Sequence, residues 1–163
     1  MIEKLNKAIE SALSGLKTNI RGIAEPILVI DQDGEMEMPA IVMADGECLP
    51  IIDDASDICS YHKINRKSYT KETDKGYGDK VAITSYDDMS LIVYGVRGKI
   101  AALEAEKKIT RAISNIVNVE SVEFNRNVIF GTEYSGVQFF LQPNIFLFRI
   151  NYKIKQALPM CNY

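Results

Sequence analysis

The chain has 163 residues, of which 47% are hydrophobic and 25% charged, and its formal net charge is −3. This size and composition are typical of one compact domain with a buried core, and they exclude a disordered chain. The slightly acidic balance argues against a general attraction to nucleic acid or to an anionic membrane surface.

The cysteines are Cys48, Cys59 and Cys161, and their spacing matches neither a disulfide framework nor a paired metal-ligand motif. The sequence shows no signal peptide and no apolar run of about 18 residues, the length that a membrane-spanning helix needs. We therefore expect a reduced, cytoplasmic protein that does not span a membrane.

The charges are unevenly distributed along the chain. Between Arg21 and Lys63 there is no Lys or Arg, although ten carboxylates fall in that stretch. The next segment reverses the sign, with five cations between Lys63 and Lys75. Two surfaces of opposite charge on one domain can support head-to-tail contacts between identical subunits, although solvated strand edges and loops are the simpler interpretation.

The first element is an amphipathic helix. Apolar residues recur at spacings of three and four from Ile2 to Ile20, which predicts a helix over Ile2–Asn19 that ends near Arg21-Gly22. Three short strands are predicted next: Ile27–Asp31, the run EMEMPAIVM after a turn at Asp33-Gly34, and CLPII after a turn at Asp45-Gly46. Pro39 cannot donate a ladder hydrogen bond, so its strand should lie at an edge or contain a bulge.

The segment from Asp53 to Gly78 has a weaker pattern. Alternation from Ile58 to Ile64 predicts a short strand, but Asn65 to Gly78 is polar, charged and rich in turn residues. We expect residues 53–78 to form a long polar loop or extended insertion. Such loops in compact domains are often functional, so this segment is the first place to look for a contact site.

The centre of the chain predicts a hairpin followed by a helix. The runs VAITSY (Val81–Tyr86) and MSLIVYGV (Met89–Val96) are rich in strand-forming residues, and Asp87-Asp88 between them resembles a turn. The following segment to Val117 has helical periodicity, with an apolar face that includes Ile100, Leu103, Ile109 and Ile113. We expect this face to cover the sheet.

Two strands close the chain. The run VESVEFNRNVIF alternates from Val119 to Phe130, and Phe146, Phe148, Ile150, Tyr152 and Ile154 share one parity in the last strand. Residues 157–163 should be a loose tail. The whole pattern predicts a single α+β domain over residues 1–163, with a mostly antiparallel β-sheet packed by an N-terminal helix and a central helix.

Residues that could carry chemistry are few. Cys59 and His62 form a C-x-x-H pair without a second pair of zinc ligands, and Asp31–Glu35 contains carboxylates beside Gly34 in an order that does not match a calcium loop. The acids Asp53, Asp54 and Asp57 have no partner group that would make them catalytic. We expect no enzyme activity, catalytic residue, metal or cofactor. A metal-dependent hydrolytic enzyme acting through His62 and nearby acids is the least favoured alternative.

The basic run HKINRKSYTK interleaves tyrosines with cations, which is one way of holding phosphates and stacking bases. Because the run is short and the domain is acidic, a contact with another subunit or simple solvation is the preferred interpretation. Nucleic-acid binding remains open but is not expected. The candidate residues for a partner or subunit contact are Lys63, Arg66, Lys67 and Lys71.

The order of elements resembles the tail-terminator and tail-completion proteins of long-tailed bacteriophages and prophages. The resemblance covers Ile2 to Ile154 and rests on the helix LNKAIESAL, the strand MPAIV, the helix AALEAEKKITRAI and the closing strand FRINYKI. It implies a structural protein without catalysis that forms a homo-oligomeric ring at the head-proximal end of a tail. The length of the Asp53–Gly78 segment departs from the usual pattern of that family.

The resemblance also implies partners and a location. The partners would be tail-tube or head–tail connector proteins, and the protein would occur in the host bacterial cytoplasm during assembly and then in the virion. The main alternative is a small soluble binding module whose ligand the sequence does not identify.

Overall fold

The computed structural model describes residues 1–30, 37–50, 55–74, 80–129, 133–134, 137–138 and 145–158. Helix α1 spans Ile2–Ala12 and helix α2 spans Lys99–Ser114. The strands are β1 (Thr18–Ile30), β2 (Glu37–Met43), β3 (Cys48–Pro50), β4 (Ile58–Asp74), β5 (Lys80–Arg97), β6 (Val119–Ile129), β7 (Glu133–Tyr134), β8 (Val137–Gln138) and β9 (Ile145–Leu158). The predicted α+β class is confirmed.

Seven strands form one sheet in the order β3-β2-β1-β4-β5-β9-β6, and β7 and β8 form a separate two-stranded ribbon. The pairing of β1 with β4 is parallel, whereas the other neighbours in the large sheet are antiparallel. The mostly antiparallel sheet predicted from the sequence is therefore confirmed.

Both helices pack on one face of this sheet and form the main core with it. The core side chains of the helices are Leu5, Ile9 and Leu13 from α1 and its end, and Ala102, Ala105, Ile109 and Ile113 from α2. The sheet contributes Leu91, Val93, Phe148, Ile150, Tyr152 and Ile154, so the predicted parity of the last strand is confirmed over its described side chains.

The apolar face of α2 differs from the prediction at two positions. Ile109 and Ile113 are fully buried, but Ile100 is 75% exposed and Leu103 is 37% exposed. The buried stripe runs instead through Ala102 and Ala105, whose small side chains let the first turns of α2 lie close to the sheet. The prediction that Ile100 and Leu103 face the sheet is therefore wrong.

Helix α1 is shorter than predicted. It ends at Ala12 rather than Asn19, and β1 begins at Thr18. Gly15 adopts φ +92°, a conformation that side-chain-bearing residues rarely accept and that cannot continue a right-handed helix. The apolar spacing beyond Leu13 therefore belongs to a turn and then to a strand.

The predicted hairpin at Asp87-Asp88 is wrong, because β5 is one continuous strand of 18 residues. In the register with β4, Asp87 lies opposite Lys67 and Asp88 lies opposite Arg66. On the other side, the Nζ atom of Lys153 is 3.6 Å from Oδ1 of Asp88. Cations on both neighbouring strands offset the two carboxylates, so a sequence typical of a turn is accommodated within the sheet.

The prediction of a long polar loop is also wrong over most of its length. Strand β4 has 17 residues and pairs with β5 from Cys59 opposite Tyr94 to Asp74 opposite Lys80. Its outer part contains Tyr69, Thr70 and Thr73, which are residue types that favour strands. Residues 53–54 and 75–78 of the predicted segment lie outside the described residues.

The remaining predictions concern the meander and the closing strands. The turn at Asp45-Gly46 is confirmed: Gly46 has φ +93°, and its N–H donates to the carbonyl of Met43 at 2.8 Å. Pro39 lies opposite Leu28, one residue beyond the last β2 residue that pairs with β3. The turn at Asp33-Gly34 lies outside the described residues.

The chain end also differs in part. Strand β9 continues to Leu158, so Ala157 and Leu158 belong to the sheet and not to a loose tail, while residues 159–163 lie outside the described part. None of the helices in the described ranges is long and apolar enough to cross a membrane.

Candidate interaction site

Strand β4 has two halves with different neighbours. Its inner half, Ile58–Ile64, lies between β1 and β5, with Thr18 opposite Ile58 and Ile23 opposite His62. Within the described residues, its outer half, Asn65–Asp74, pairs with β5 alone. A β-bulge between Ile64 and Arg66 marks the boundary. The outer half is therefore a sheet edge.

This edge exists because β1 changes partner. After a register shift between Ile20 and Ile23, the last described pair of β1 with β4 is Ile23 opposite His62, and from Ala24 onward β1 pairs with β2. On the side that β1 leaves, the outer half presents backbone N–H and C=O groups that can pair with another strand. A sheet edge of this kind is a common site of strand addition between chains.

Exposure changes sharply at the same boundary. All five residues from Ile58 to His62 are buried. In the outer half the described side chains are exposed, apart from the half-buried Ser68, and Tyr69 is 62% exposed. The outer half thus combines an open backbone edge with accessible charged and aromatic side chains.

The four predicted contact residues all lie on β4 but do not form one patch. Lys63 belongs to the inner half and is half-buried, and its Nζ atom is 3.7 Å from Oε2 of Glu25. The structure brings Arg66, Lys67 and Lys71 together in the outer half, where all three are exposed. Because paired residues share a face, the register places Arg66 on the helix-free face and the two lysines on the face that carries the helices.

His62 lies in a buried hydrogen-bonded chain and not in a metal site. Its Nδ1 atom is 2.6 Å from the hydroxyl oxygen of Tyr152, and its Nε2 atom is 2.6 Å from Oδ1 of Asn6. The Asn6 amide nitrogen in turn donates to the carbonyl of Arg21. Since the Asn6 oxygen can only accept, Nε2 carries the proton and donates, and Nδ1 accepts from the Tyr152 hydroxyl.

This arrangement keeps His62 neutral. Burial disfavours the charged imidazolium and lowers the pKa of His62 to about 4. Burial, followed by the negative charge of Asp87, raises the pKa of Tyr152 well above its usual range. The chain of hydrogen bonds joins α1, β1, β4 and β9, so its role is to fix the first helix on the sheet.

The C-x-x-H pair cannot bind one ion in this fold. Three residues of separation in a strand place Cys59 and His62 on opposite faces, and Cys59 packs with Tyr61 and Tyr94 on the helix-free face. Among the described residues, no group of three or more His, Cys, Asp or Glu side chains is arranged to hold a metal ion.

A second polar feature lies on the helix-free face. The Nε atom of Arg149 donates to the hydroxyl of buried Ser90 at 3.0 Å and to Oδ1 of Asn151 at 2.7 Å, and Asn65 donates to the Ser90 hydroxyl at 2.6 Å. These groups border a cleft of about 310 Å³ that also contacts Asp88 and Lys153. Hydrogen bonds within the cluster hold β4, β5 and β9 together beside the bulge.

Sequence reasoning missed Asn6, Tyr152, Ser90 and Arg149. Tyr152 could have been found, because it is the one hydroxyl on the apolar parity of β9 and a buried hydroxyl needs a partner. Ser90 and Arg149 become neighbours only through the pairing of β5 with β9, across 59 residues of sequence. No local pattern signals such a contact.

Comparison with models of known protein families and with curated proteins finds no match.

Proposed function

We propose that the protein is a structural component without catalytic activity that assembles with copies of itself into a ring, as tail-terminator proteins of long-tailed bacteriophages do. The observation that carries the proposal is the outer half of β4, which pairs with β5 alone among the residues that the structure describes. A long edge with unpaired backbone groups is costly to leave exposed, and pairing it with a neighbouring chain satisfies those groups.

The charges of the outer half are compatible with this role. Arg66, Lys67 and Lys71 are exposed there, and charged residues on an edge discourage non-specific aggregation while permitting a complementary partner. A contact between two different surfaces of identical subunits closes into a ring when the rotation between subunits is a fraction of a full turn.

The resemblance in element order supports the location and the partners. The ring would sit at the head-proximal end of a tail and contact tail-tube or head–tail connector proteins. Assembly would take place in the host cytoplasm, and the assembled protein would remain in the virion.

The test is the mass of the full chain in solution, measured by light scattering after size-exclusion chromatography at several concentrations and salt levels. The expected result is a discrete species of several times the 18.3 kDa protomer mass. A strict monomer at every concentration and salt level, also in the presence of isolated tail tubes, would overturn the proposal.

Proline substitutions at two adjacent outer positions, Ser68→Pro and Tyr69→Pro, locate the contact. Successive amides in a strand point in opposite directions, so one substitution removes a hydrogen bond to β5 and the other removes a donor from the open edge. We expect the substitution at the amide that faces β5 to destabilise the hairpin. The substitution at the amide that faces the open edge should leave the fold intact and disperse the ring. If neither changes assembly, the outer edge is not the contact.

A small binding module is the second candidate, and the cleft beside Arg149 is the observation that favours it. Its guanidinium and Lys153 would suit a small anion. A monomeric protein that binds inorganic phosphate, and loses this binding in the Arg149→Gln variant, would favour the module. A monomeric protein that does not bind phosphate would count against an anion-binding module at this cleft.

A further inference from the structure

We infer that in the ring the outer half of β4 pairs antiparallel with β6 of a second copy, with Lys71 opposite Glu120. This inference rests on the proposed ring and names the two surfaces that meet in it.

The two strands are suited to each other in length. Within the described part of the chain, β6 is the last strand of the large sheet, and it pairs there with β9. It has 11 residues, and the outer half of β4 has ten, so each offers an edge of about 33 Å. A contact between these edges would extend the sheet from one copy into the next.

Strand direction determines the orientation of the contact. From β4 through β5 and β9 to β6 there are three antiparallel steps, so β6 runs opposite to β4 within one copy. A rotation about an axis that is inclined to the strands by less than a right angle preserves the sense of the strand direction along that axis. A ring that continues the sheet therefore places β6 of one copy antiparallel to β4 of the next.

The two faces of the sheet restrict the register. Paired residues lie on the same face, and the same rotation carries the helix-free face of one copy into that of the next. Arg66 lies on the helix-free face opposite Asp88, and Asn125 lies on it opposite Arg149. Within one copy, the row through Arg66, Asp88 and Lys153 meets β6 at Ser121. A register with Arg66 opposite Asn125 keeps the faces continuous but staggers successive copies by the four residues from Ser121 to Asn125. A closed ring accommodates this stagger when its strands are tilted to the ring axis.

This register also brings opposite charges together. It places exposed Lys71 opposite exposed Glu120, which is the extra residue of a β-bulge between Val119 and Ser121. Arg66 becomes the diagonal neighbour of Glu123, which lies on the same face opposite Asn151. Opposite and diagonal neighbours across strands are within reach of long charged side chains. Two acidic positions of β6 thus meet two basic positions of β4.

The competing arrangements are two-fold dimers in which β4 pairs with β4 or β6 pairs with β6. Each of these uses one edge and leaves the other one open on both copies. The β4-to-β6 contact uses the edge of outer β4 and the edge of β6 once in every copy, which is the arrangement that a closed ring requires, and β3 at the other end of the large sheet takes no part in it.

A charge swap tests the contact in the full chain. Lys71→Glu should place two carboxylates opposite each other at every contact of the ring, and Glu120→Lys should place two ammonium groups there. We expect each variant to raise the protein concentration needed for half-assembly by about tenfold. The double variant Lys71→Glu/Glu120→Lys should restore assembly, because it exchanges the charges without changing the pair.

Mixing the two single variants distinguishes the possible contacts. Each mixed contact has one cation and one anion, so an equimolar mixture should assemble with alternating composition, as native mass spectrometry would show. In a β4-to-β4 dimer, Glu120→Lys would have no effect and mixing would not produce alternation. In a β6-to-β6 dimer, the same would hold for Lys71→Glu.

Helix α1 provides matched controls. Lys7→Glu and Glu10→Lys make the same charge changes at exposed positions away from both edges, and they should leave assembly unchanged. The unfolding free energy of each variant shows that the fold is retained. If the wild-type chain assembles and the edge variants behave like the α1 variants, the inference fails and the proposed ring survives. If the wild-type chain never assembles, the ring itself fails.

Discussion

The inner and outer halves of β4 share one backbone strand and one partner, β5, yet they differ in almost every other respect. The inner half is covered by β1 at its edge, and its residues Ile58–His62 are buried. The outer half has the same pairing with β5 but is exposed. The comparison shows that the neighbours of a strand, and not its own regularity, decide whether it serves as core or as surface.

The bulge at Asn65 is where the two halves separate. It inserts one residue into β4, and the Asn65 amide donates to the Ser90 hydroxyl at 2.6 Å. Bulges bend a strand and strengthen its twist, which helps the outer half to diverge from β1. Three variants test how different the two halves are, in order of decreasing effect on stability.

The largest effect is expected from Ile58→Ala in the inner half. Ile58 is 1% exposed in the main core, so truncation removes buried apolar contacts and leaves a cavity. The unfolding free energy should fall by about 2–5 kcal/mol. Urea denaturation followed by circular dichroism measures this change, and a loss below about 1 kcal/mol would contradict the description of the inner half as core.

An intermediate effect is expected from acidification, through His62 in the inner half. In the folded chain its pKa is lowered from 6.5 to about 4, so between these values the unfolded chain binds a proton that the folded chain does not. Stability contributed by neutral His62 is therefore present above pH 6.5 and lost as the pH falls toward 4. The loss should be about 3 kcal/mol in total.

The His62→Gln variant isolates this contribution. It should be less stable at pH 7, because Tyr152 and Asn6 lose their imidazole partner, but its stability should depend less on pH between 6.5 and 4. Unfolding free energies of the two proteins at matched pH values give the comparison. Parallel pH dependences would show that His62 titrates normally in the folded chain.

The smallest effect is expected from Tyr69→Ala in the outer half. Because Tyr69 is 62% exposed, its truncation should change the unfolding free energy by less than about 0.5 kcal/mol. The same denaturation experiment used for Ile58→Ala applies. A loss near that of the inner variant would mean that the outer half contributes to the core, and the contrast between the halves would no longer hold.

The sequence predicted the elements whose burial is regular along the chain. Strand β9 alternates because Phe148, Ile150, Tyr152 and Ile154 all face the main core. The predicted helix over Lys99–Ser114 is confirmed because its buried residues likewise recur on one face. In each case one face is buried along the element, so the periodicity of the apolar residues is the periodicity of the structure.

The sequence-based prediction was wrong where residues that are distant in the sequence stabilise a strand whose local pattern is typical of a turn or a loop. Asp87-Asp88 resembles a turn, and only the cations opposite it on β4 and β9 make it acceptable within a strand. Polar residues after Ile64 resemble a loop, because an edge strand that is exposed on both faces has no apolar alternation to detect. In both cases, pairing with strands that are distant in the sequence determines the structure. A short stretch of sequence contains no information about that pairing.

The candidate site was predicted in part. The basic residues of β4 were identified from composition alone, and Arg66, Lys67 and Lys71 do lie together on the outer half. The separation of Lys63 from them depends on the partner change of β1 at Ile23 and on the ion pair with Glu25. Neither contact has a signal in the sequence around Lys63.

The paired carboxylates in the middle of β5 have a consequence for how the long hairpin finds its alignment. Such a hairpin could slide by two residues without exposing its apolar face, since alternate residues point the same way. Asp88 lies opposite Arg66 in the native pairing, and a slide of two positions would place it opposite Ser68 or Ile64 instead. Both slipped forms lose the attraction between Asp88 and Arg66 and are therefore less stable. The two aspartates thus help to fix the register of the hairpin.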